Sequence, residues 1–148
     1  MAEINRKELV LALIGAGANP RMAGLDLSAL VMTRLNLEGA NLRGANLQGA
    51  TCREAILRST NMTGTDCTVA QMQYADFNGA NLLGVNFTGA NLQGARLSGT
   101  NMQNVVLNSA NLLDADMKGA SVNGIKFDER TVWPDGKVGS RGNPANYV

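Results

Sequence analysis

Histidine is absent from this sequence, and cysteine is scarce. The chain has 148 residues, none of which is His and two of which are Cys, Cys52 and Cys67. Without histidine the chain lacks the most common general base and the most common zinc ligand. Two cysteines at this separation are too few and too distant for a zinc knuckle. We therefore expect two free, buried thiols, no metal site and no cofactor.

Aromatic side chains and an excess of either charge are also missing. Phe, Trp and Tyr make up 4% of a chain that is 45% hydrophobic, so Leu, Ala and Met must fill the core. Thirteen basic and twelve acidic residues leave a net charge of +1, which fits neither a nucleic-acid-binding surface nor an acidic tail. No apolar run approaches the ~20 residues of a transmembrane helix. The sequence predicts one domain with neither a nucleic acid nor a membrane as its partner.

The sequence has, instead, an unbroken five-residue repeat. If the central residue of each unit is called i, all 21 central positions from Leu27 to Phe127 are apolar. Position i−2 is Ala or Thr in 15 units, position i−1 is Asn or Asp in 13, and position i+2 is Gly in 11. The predicted core residues at position i are Leu42, Leu47, Leu57, Phe77, Leu82, Phe87, Leu92, Leu97, Leu107 and Leu112.

Neither a straight strand nor an α-helix keeps one position of a five-residue repeat buried. Residues five apart point to opposite sides of a strand, and an α-helix, at about 100° per residue, carries them around its axis. A short extended unit that turns a corner at i+1 and i+2 keeps both i−2 and i inside. Gly suits that corner, and Asn or Asp at i−1 stabilises the turn. A chain that turns the same way in every unit must coil.

The charged residues indicate how many units complete one coil. Within residues 21–130, four pairs at a spacing of 20 have opposite sign: Arg34/Glu54, Glu38/Arg58, Asp76/Arg96 and Arg96/Asp116. At a spacing of 15 in the same range, one pair is opposite and two are alike. Because stacked parallel strands lie about 4.8 Å apart, opposite charges favour each other there. The spacing predicts four units per coil, and the 21 units therefore make about five coils.

The repeat resembles that of the pentapeptide-repeat family, whose consensus is written A(D/N)Lxx. The match is clearest at residues 40–44, 45–49 and 80–84, which read ANLRG, ANLQG and ANLLG. The resemblance covers about 100 of the 148 residues. It implies an all-β fold, a right-handed quadrilateral parallel β-helix. It also implies a relation to the many cyanobacterial members, most of which have no assigned activity.

The N-terminal part, residues 1–24, is predicted to be a helical cap. Residues 3–16 form one helix with Leu9, Leu13 and Ala16 on a single face. A β-helix needs such a cover because its end exposes hydrophobic core and unpaired backbone. The alternative is a cleaved secretory signal, since the apolar stretch resembles the hydrophobic region of one. We favour the cap, and with it a cytoplasmic protein.

The β-helix is predicted to span residues 25–129, and residues 130–148 form a tail that closes the last coil. Trp133, the only tryptophan, lies in a Thr-x-Trp-Pro sequence of the kind that closes many members of the family. We expect its ring to cover the end of the coil. Residues 137–148 are polar and Gly-rich, and we expect them to be mobile.

The predicted function is a non-enzymatic structural or protein-interaction module. A rod of short flat units offers faces rather than a cleft, so the expected partner is another protein, and a monomer is favoured over a dimer. The outward Asn residues of one column either meet this partner or only hydrogen-bond the backbone of neighbouring coils. That column holds Asn41, Asn61, Asn81 and Asn101.

Some family members imitate duplex DNA and bind DNA gyrase, which suggests an alternative function. Those rods are strongly acidic. This chain is near neutral and would present Arg34, Arg43, Arg53 and Arg58 to the DNA site of the enzyme. The charge therefore disfavours a DNA-mimicking role.

Asp114 and Asp116 form a close pair of carboxylates and are the best candidates for catalysis in the chain. They lie on a turn and on a strand of different orientation, and neither a histidine nor a nucleophile accompanies them. Solvated surface carboxylates explain both residues. We predict that the protein is not an enzyme and has no catalytic residue.

Overall fold

A computed structural model of the protein describes residues 4–148. Its helices are α1 (Arg6–Ala16) and two short 3₁₀ turns, Gly139–Arg141 and Pro144–Asn146. Isolated β-bridges connect the chain between them, so that each strand contributes a single bridging residue. Among the described residues, no helix is both long enough and apolar enough to cross a membrane.

Helix α1 begins with a reciprocal pair of hydrogen bonds at Asn5. The Asn5 Oδ1 accepts from the Glu8 amide at 3.0 Å, and the Glu8 Oε2 accepts from the Asn5 amide at 2.8 Å. This capping box satisfies amides that have no partner within the helix. The helix ends at Gly17, whose φ is 72°. The predicted start at Glu3 lies outside the described residues.

A ladder of parallel β-bridges follows α1, and each bridge joins positions 20 apart, from Arg21↔Asn41 to Val106↔Lys126. This is the spacing that the opposite charges indicate. The bridging residues are those at position i−1. The ladder begins at Arg21, before the boundary predicted at residue 25, because Met22 already occupies a buried position i.

All five backbone amides of a repeat unit have a hydrogen-bond acceptor. In the unit ANLQG, the amides of Asn46, Leu47 and Gly49 donate to carbonyls of adjacent coils at 2.9, 2.7 and 2.9 Å. The Ala45 amide donates at 3.0 Å to the carbonyl three residues earlier. The remaining amide, that of Gln48, donates to the Asn46 Oδ1 at 3.0 Å. The unit thus leaves no orphaned donor, as buried backbone requires.

The Asn and Asp residues at position i−1 serve the turn of their own unit. In all 13 units that have one, its Oδ1 accepts the backbone amide at i+1. Bonds between coils are fewer, for example from the Asn101 Nδ2 to the Asn81 Oδ1 at 3.2 Å. The side-chain oxygens of the Asn column therefore accept backbone hydrogen bonds, and the amides that donate to them belong to the same unit rather than to a neighbouring coil.

The corner position i+2 has a positive φ in every unit from Gly24 to Gly124, whether or not the residue is glycine. Val69 has a φ of 53° and Tyr74 a φ of 60°. A β-branched or bulky residue rarely takes this conformation. One coil on from each of these two lies a glycine, Gly89 or Gly94, and the larger side chain packs over it.

The core runs along the inside of the coil. All ten predicted core residues are fully buried. Buried threonines at i−2 donate their hydroxyls to backbone carbonyls, as Thr60 does to Leu57 at 2.8 Å. Cys52 and Cys67 are free and buried, and burial raises the pKa of the Cys52 thiol to about 12. At the C-terminal end, Phe127 is only half-buried because no further coil covers it.

The repeat breaks by one residue before the tail. Asn111 pairs with Val132, one position beyond the regular spacing, and the chain then reverses through an antiparallel bridge between Val132 and Val138. The shift places the Trp133 ring, which is fully buried, edge-on to Phe127 at 5.1 Å between ring centres. Its Nε1 donates to the Gly139 carbonyl at 2.8 Å.

The last residues pack on this tryptophan. Tyr147 stacks on Trp133 with 5.7 Å between ring centres and 13° between planes, and its hydroxyl donates to Asp135 at 2.9 Å. The structure therefore differs from the mobility expected for residues 137–148. The polar, Gly-rich composition does not predict this packing, because the packing depends on one aromatic residue, Tyr147, whose ring stacks on that of Trp133.

The pairing of bulky corner residues with glycine can be tested by Gly94→Ala and its matched control Gly84→Ala. Both glycines have a φ of 63–66°, but an added Cβ at Gly84 meets no atom within 4 Å, whereas at Gly94 it meets the Tyr74 ring. The conformational cost common to both is about 1–2 kcal/mol. We expect thermal unfolding to show a clearly larger loss for Gly94→Ala. Equal melting temperatures would contradict the packing.

The tail can be tested by acid. Lys137, whose Nζ lies 2.7 Å from the carboxylate, holds the pKa of Asp135 down at about 2. A carboxyl whose pKa is depressed on folding contributes stability above its unfolded value of about 3.9, and loses it as pH falls toward the folded value. We expect the Trp133 fluorescence to change between about pH 4 and pH 2. In Asp135→Asn the signal should already be altered at pH 7, whereas Glu54→Gln should leave it unchanged.

Candidate functional site

A groove of about 720 Å³ lies between α1 and the first coil. Sites that enclose small ligands have volumes of roughly 300–1,000 Å³, so this one is large enough to hold a ligand or a few side chains. Its walls consist of Val10, Leu13, Ile14, Gly17, Ala18, Asn19, Pro20, Leu35, Asn36, Glu38, Gly39 and Ser59.

Helix α1 is held against the coil by its Leu9 side. Leu9 is buried and Leu13 is half-buried, and both pack against the core. The first coil has Leu at the i−2 positions 25, 30 and 35, where later coils mostly have Ala or Thr. Of these three, Leu35 lines the groove together with residues of α1.

Ala16 does not lie on the packed face, and this part of the prediction is wrong. Ala16 is exposed, as are the residues of the chain that follow it through Asn19. The reason is the groove itself, which separates the C-terminal end of α1 from the coil. Helical periodicity places residues on one face of a helix but does not tell how far along its axis that face is covered.

The N-terminal end of α1 is anchored by Arg6. Its Nη1 donates to the Val31 carbonyl at 2.7 Å, and its Nη2 donates to the Thr33 carbonyl at 3.0 Å. One coil further on, the equivalent carbonyls of Thr51 and Arg53 accept backbone amides at 2.7 and 2.9 Å. The two arms of the guanidinium thus take the place of two amides of a missing coil. In the sequence, Arg6 is indistinguishable from an ordinary surface charge.

The far end of the groove depends on Gly39. A Cβ at this position would come within 2.5 Å of the Asn19 Oδ1 and 3.1 Å of the Ala18 carbonyl. The absence of a side chain lets the segment after α1 lie directly on the first coil. Asn41 then donates its amide to the Pro20 carbonyl at 2.8 Å, which joins this segment to the ladder.

The chemistry of the groove is apolar with one ionisable group. Val10, Leu13, Ile14 and Leu35 supply the hydrophobic surface, and Ile14 is 77% exposed. Glu38 is the single ionisable residue among those that line it. Such a lining can bind, but Glu38 is its one acid–base group, and no histidine accompanies the hydroxyl of Ser59.

Several charged residues outside the groove pair with one another along the rod. Arg34 binds Glu54 at 2.9 Å, and Asp76, which is buried, lies between Arg58 at 2.6 Å and Arg96 at 3.7 Å. Two of these pairs join equivalent positions of adjacent coils. Arg58 and Asp76 are instead 18 residues apart. Arg58 is at position i+1 and Asp76 at position i−1 of the next coil, and the long Arg58 side chain spans this offset. The resulting surface is of mixed sign.

Asp114 and Asp116 are both exposed and lie away from the groove. The Asp116 Oδ1 accepts the Lys118 amide at 3.1 Å, so this carboxylate supports a turn. Within residues 4–148, no group of three or more His, Cys, Asp or Glu side chains is arranged to hold a metal ion. Trp133, the tail residue predicted to cover the core, is fully buried and presents no surface to a ligand.

The repeat matches a family model described as pentapeptide repeats, in eight copies, over residues 36–66, 65–104 and 86–124. These stretches together cover more than half of the chain. No curated protein matches it significantly.

Two solved structures show the same repeat. A pentapeptide repeat protein, Rfr23, from the cyanobacterium Cyanothece 51142 is 24% identical, covers 84% of this chain and 99% of its own, and has a TM-score of 0.77. A pentapeptide repeat protein from the thylakoid lumen of Arabidopsis thaliana is 29% identical over 78% of this chain and 69% of its own, with a TM-score of 0.54.

The anchoring role of Arg6 can be tested with Arg6→Lys, which keeps the charge but cannot present two parallel donors. We expect faster hydrogen exchange in the amides of α1 and of the first coil, with the later coils unchanged. Lys7→Ala is the matched control, since it removes the neighbouring exposed cation. Identical hydrogen exchange in the two variants would show that the paired hydrogen bonds of Arg6 do not hold the N-terminal end of α1.

Proposed function

Since the chain belongs to the pentapeptide-repeat family, we propose that it is a non-enzymatic protein-interaction module whose partner contacts the groove beside α1. The observation that carries the proposal is the groove itself, a concave and largely apolar surface at the end of the rod. Exposed apolar surface of this kind is characteristic of sites where proteins bind one another.

The architecture behind this function is a right-handed quadrilateral β-helix of about five coils, with α1 as its N-terminal cap. Bridges of constant spacing support the coils. The burial of Leu9 and the two bonds from Arg6 support the cap. With α1 at one end and the Trp133 tail at the other, both ends carry protective structure, which supports a monomer.

The absence of catalysis is supported by how the chain uses its polar side chains. The Asn and Asp residues at i−1 are engaged by turn amides. A thiol whose pKa is raised to about 12, like that of Cys52, remains protonated at neutral pH and is a poor nucleophile. Two unpaired, buried thiols also fit the reducing interior that we propose as the location.

The outward faces of the rod are less suited to a partner. Their acidic and basic side chains pair with each other, as Arg34 does with Glu54. Their Asn columns are engaged in turns. The mixed charge also gives no support to the DNA-mimicking alternative.

The proposal is tested by comparing Ile14→Gln with Leu11→Gln. Both residues are exposed on α1, at 77% and 59%, but only Ile14 lines the groove. Cross-linking and affinity purification from the source cells, quantified by mass spectrometry, should recover a partner with the wild type and with Leu11→Gln. Recovery should fall by about tenfold with Ile14→Gln, as for a buried interface residue. Equal recovery with both variants would exclude the groove as the contact site.

A further inference from the structure

One wall of the groove is a stripe of α1. Val10, Leu13 and Ile14 follow one another at i, i+3 and i+4, which is the spacing of one helix face, and Gly17 directly follows the helix. Leu13 also packs against the core, as Leu9 does, whereas Ile14 is largely in solvent. Leu35 and Pro20 supply apolar surface across from it. A segment that enters the groove therefore meets hydrophobic surface on two sides.

The single ionisable residue that lines the groove, Glu38, is acidic and exposed. The basic residue that interacts with it, Arg58, makes its close ion pair with Asp76 at 2.6 Å. The Glu38 carboxylate therefore keeps capacity for another cation.

The end of α1 adds to this potential. Gly17 and Ala18, which directly follow the helix, line the groove, and the last turn of the helix contains no basic side chain. Carbonyls at the C-terminal end of a helix have a partial negative charge that favours cations nearby. The Glu38 carboxylate and the C-terminal end of α1 thus both favour a positively charged group on the ligand.

On the premise that the groove is the partner site, we propose that it binds an apolar peptide segment that carries a Lys or Arg side chain. The apolar residues of the segment pack between the α1 stripe and Leu35, and the cation pairs with Glu38 near the end of α1. This is the mode in which a short amphipathic segment lies in a hydrophobic groove. An anionic ligand, such as a fatty acid, would meet charge of its own sign.

Three capped peptides test the proposal: acetyl-LLKLL-amide, acetyl-LLQLL-amide and acetyl-LLELL-amide. Each is titrated into the full-length, ¹⁵N-labelled protein, and the amide signals of Gly17 and Gly39 are followed. We expect the Lys peptide to shift both signals, with the Gln peptide weaker by about tenfold, as for the loss of one charge-assisted bond, and the Glu peptide weaker still.

Two variants locate the interaction. Glu38→Gln should bring the affinities of the Lys and Gln peptides together, whereas Asp114→Asn, an exposed carboxylate remote from the groove, should leave their difference intact. Ile14→Gln should weaken all three peptides, and Leu11→Gln none. The unchanged remainder of the spectrum reports that each variant is folded.

The outcomes separate this inference from the proposed function. If the three peptides shift the groove signals equally and Glu38→Gln changes nothing, the proposed pairing of a cation with Glu38 is wrong. The groove is then still supported as a binding site for apolar segments. If no peptide shifts Gly17 or Gly39, or if Ile14→Gln binds as the wild type does, the peptide inference is overturned. The proposed function fails separately, when a cellular partner is retained by Ile14→Gln.

Discussion

In each repeat unit from residue 25 to 129, the backbone amide at i+1 donates to no backbone carbonyl. Three of the other four donate to adjacent coils, and the fourth closes the corner. The amide at i+1 depends on a side-chain oxygen two residues earlier, which Asn or Asp provides in 13 units. An unmet amide is costly, so this bond favours Asn or Asp at i−1. The corners up to Gly124 have a positive φ at i+2 also in the units without Asn or Asp. Corners of one conformation in turn keep the coils in register and the core residues stacked.

The identical corners also constrain what the surface can do. Because the oxygens of the Asn column are used inside the units, most of the polar surface has a structural task. Positive φ at every i+2 favours glycine, and the bulky exceptions Val69 and Tyr74 lie above a glycine of the next coil. A regular rod therefore offers little concave surface along its length. The groove lies at the irregular N-terminal end, beside α1.

Much of the rod could be derived from the sequence, because a strict period leaves few backbone solutions. The positions at i of the central coils and the spacing between Arg34 and Glu54 follow directly from the pattern. The ends do not. Arg6 donates to carbonyls of the first coil, and Tyr147 stacks on Trp133. These contacts are not part of the repeat, so the repeat pattern does not predict them. Nor does helical periodicity reveal that Ala16 is left exposed, since it does not tell how far along the axis of α1 the packed face is covered. The groove lies beside α1, at one of these irregular ends, and was not predicted.

The extra residue between Phe127 and Trp133 sets the length of the rod. An object with translational symmetry can in principle be extended without limit, since every coil offers the next the same template. Extension requires each bridge to keep the 20-residue spacing, which we call the phase of the array. Here the phase slips by one residue, so that Val132 pairs with Asn111 rather than with residue 112. The chain then doubles back in the antiparallel sense, which occupies the edge at that point with its own backbone. The phase slip thus acts as a terminator: it ends the array without a separate domain, and any duplication of one whole coil upstream of it would lengthen the molecule while leaving both ends as they are.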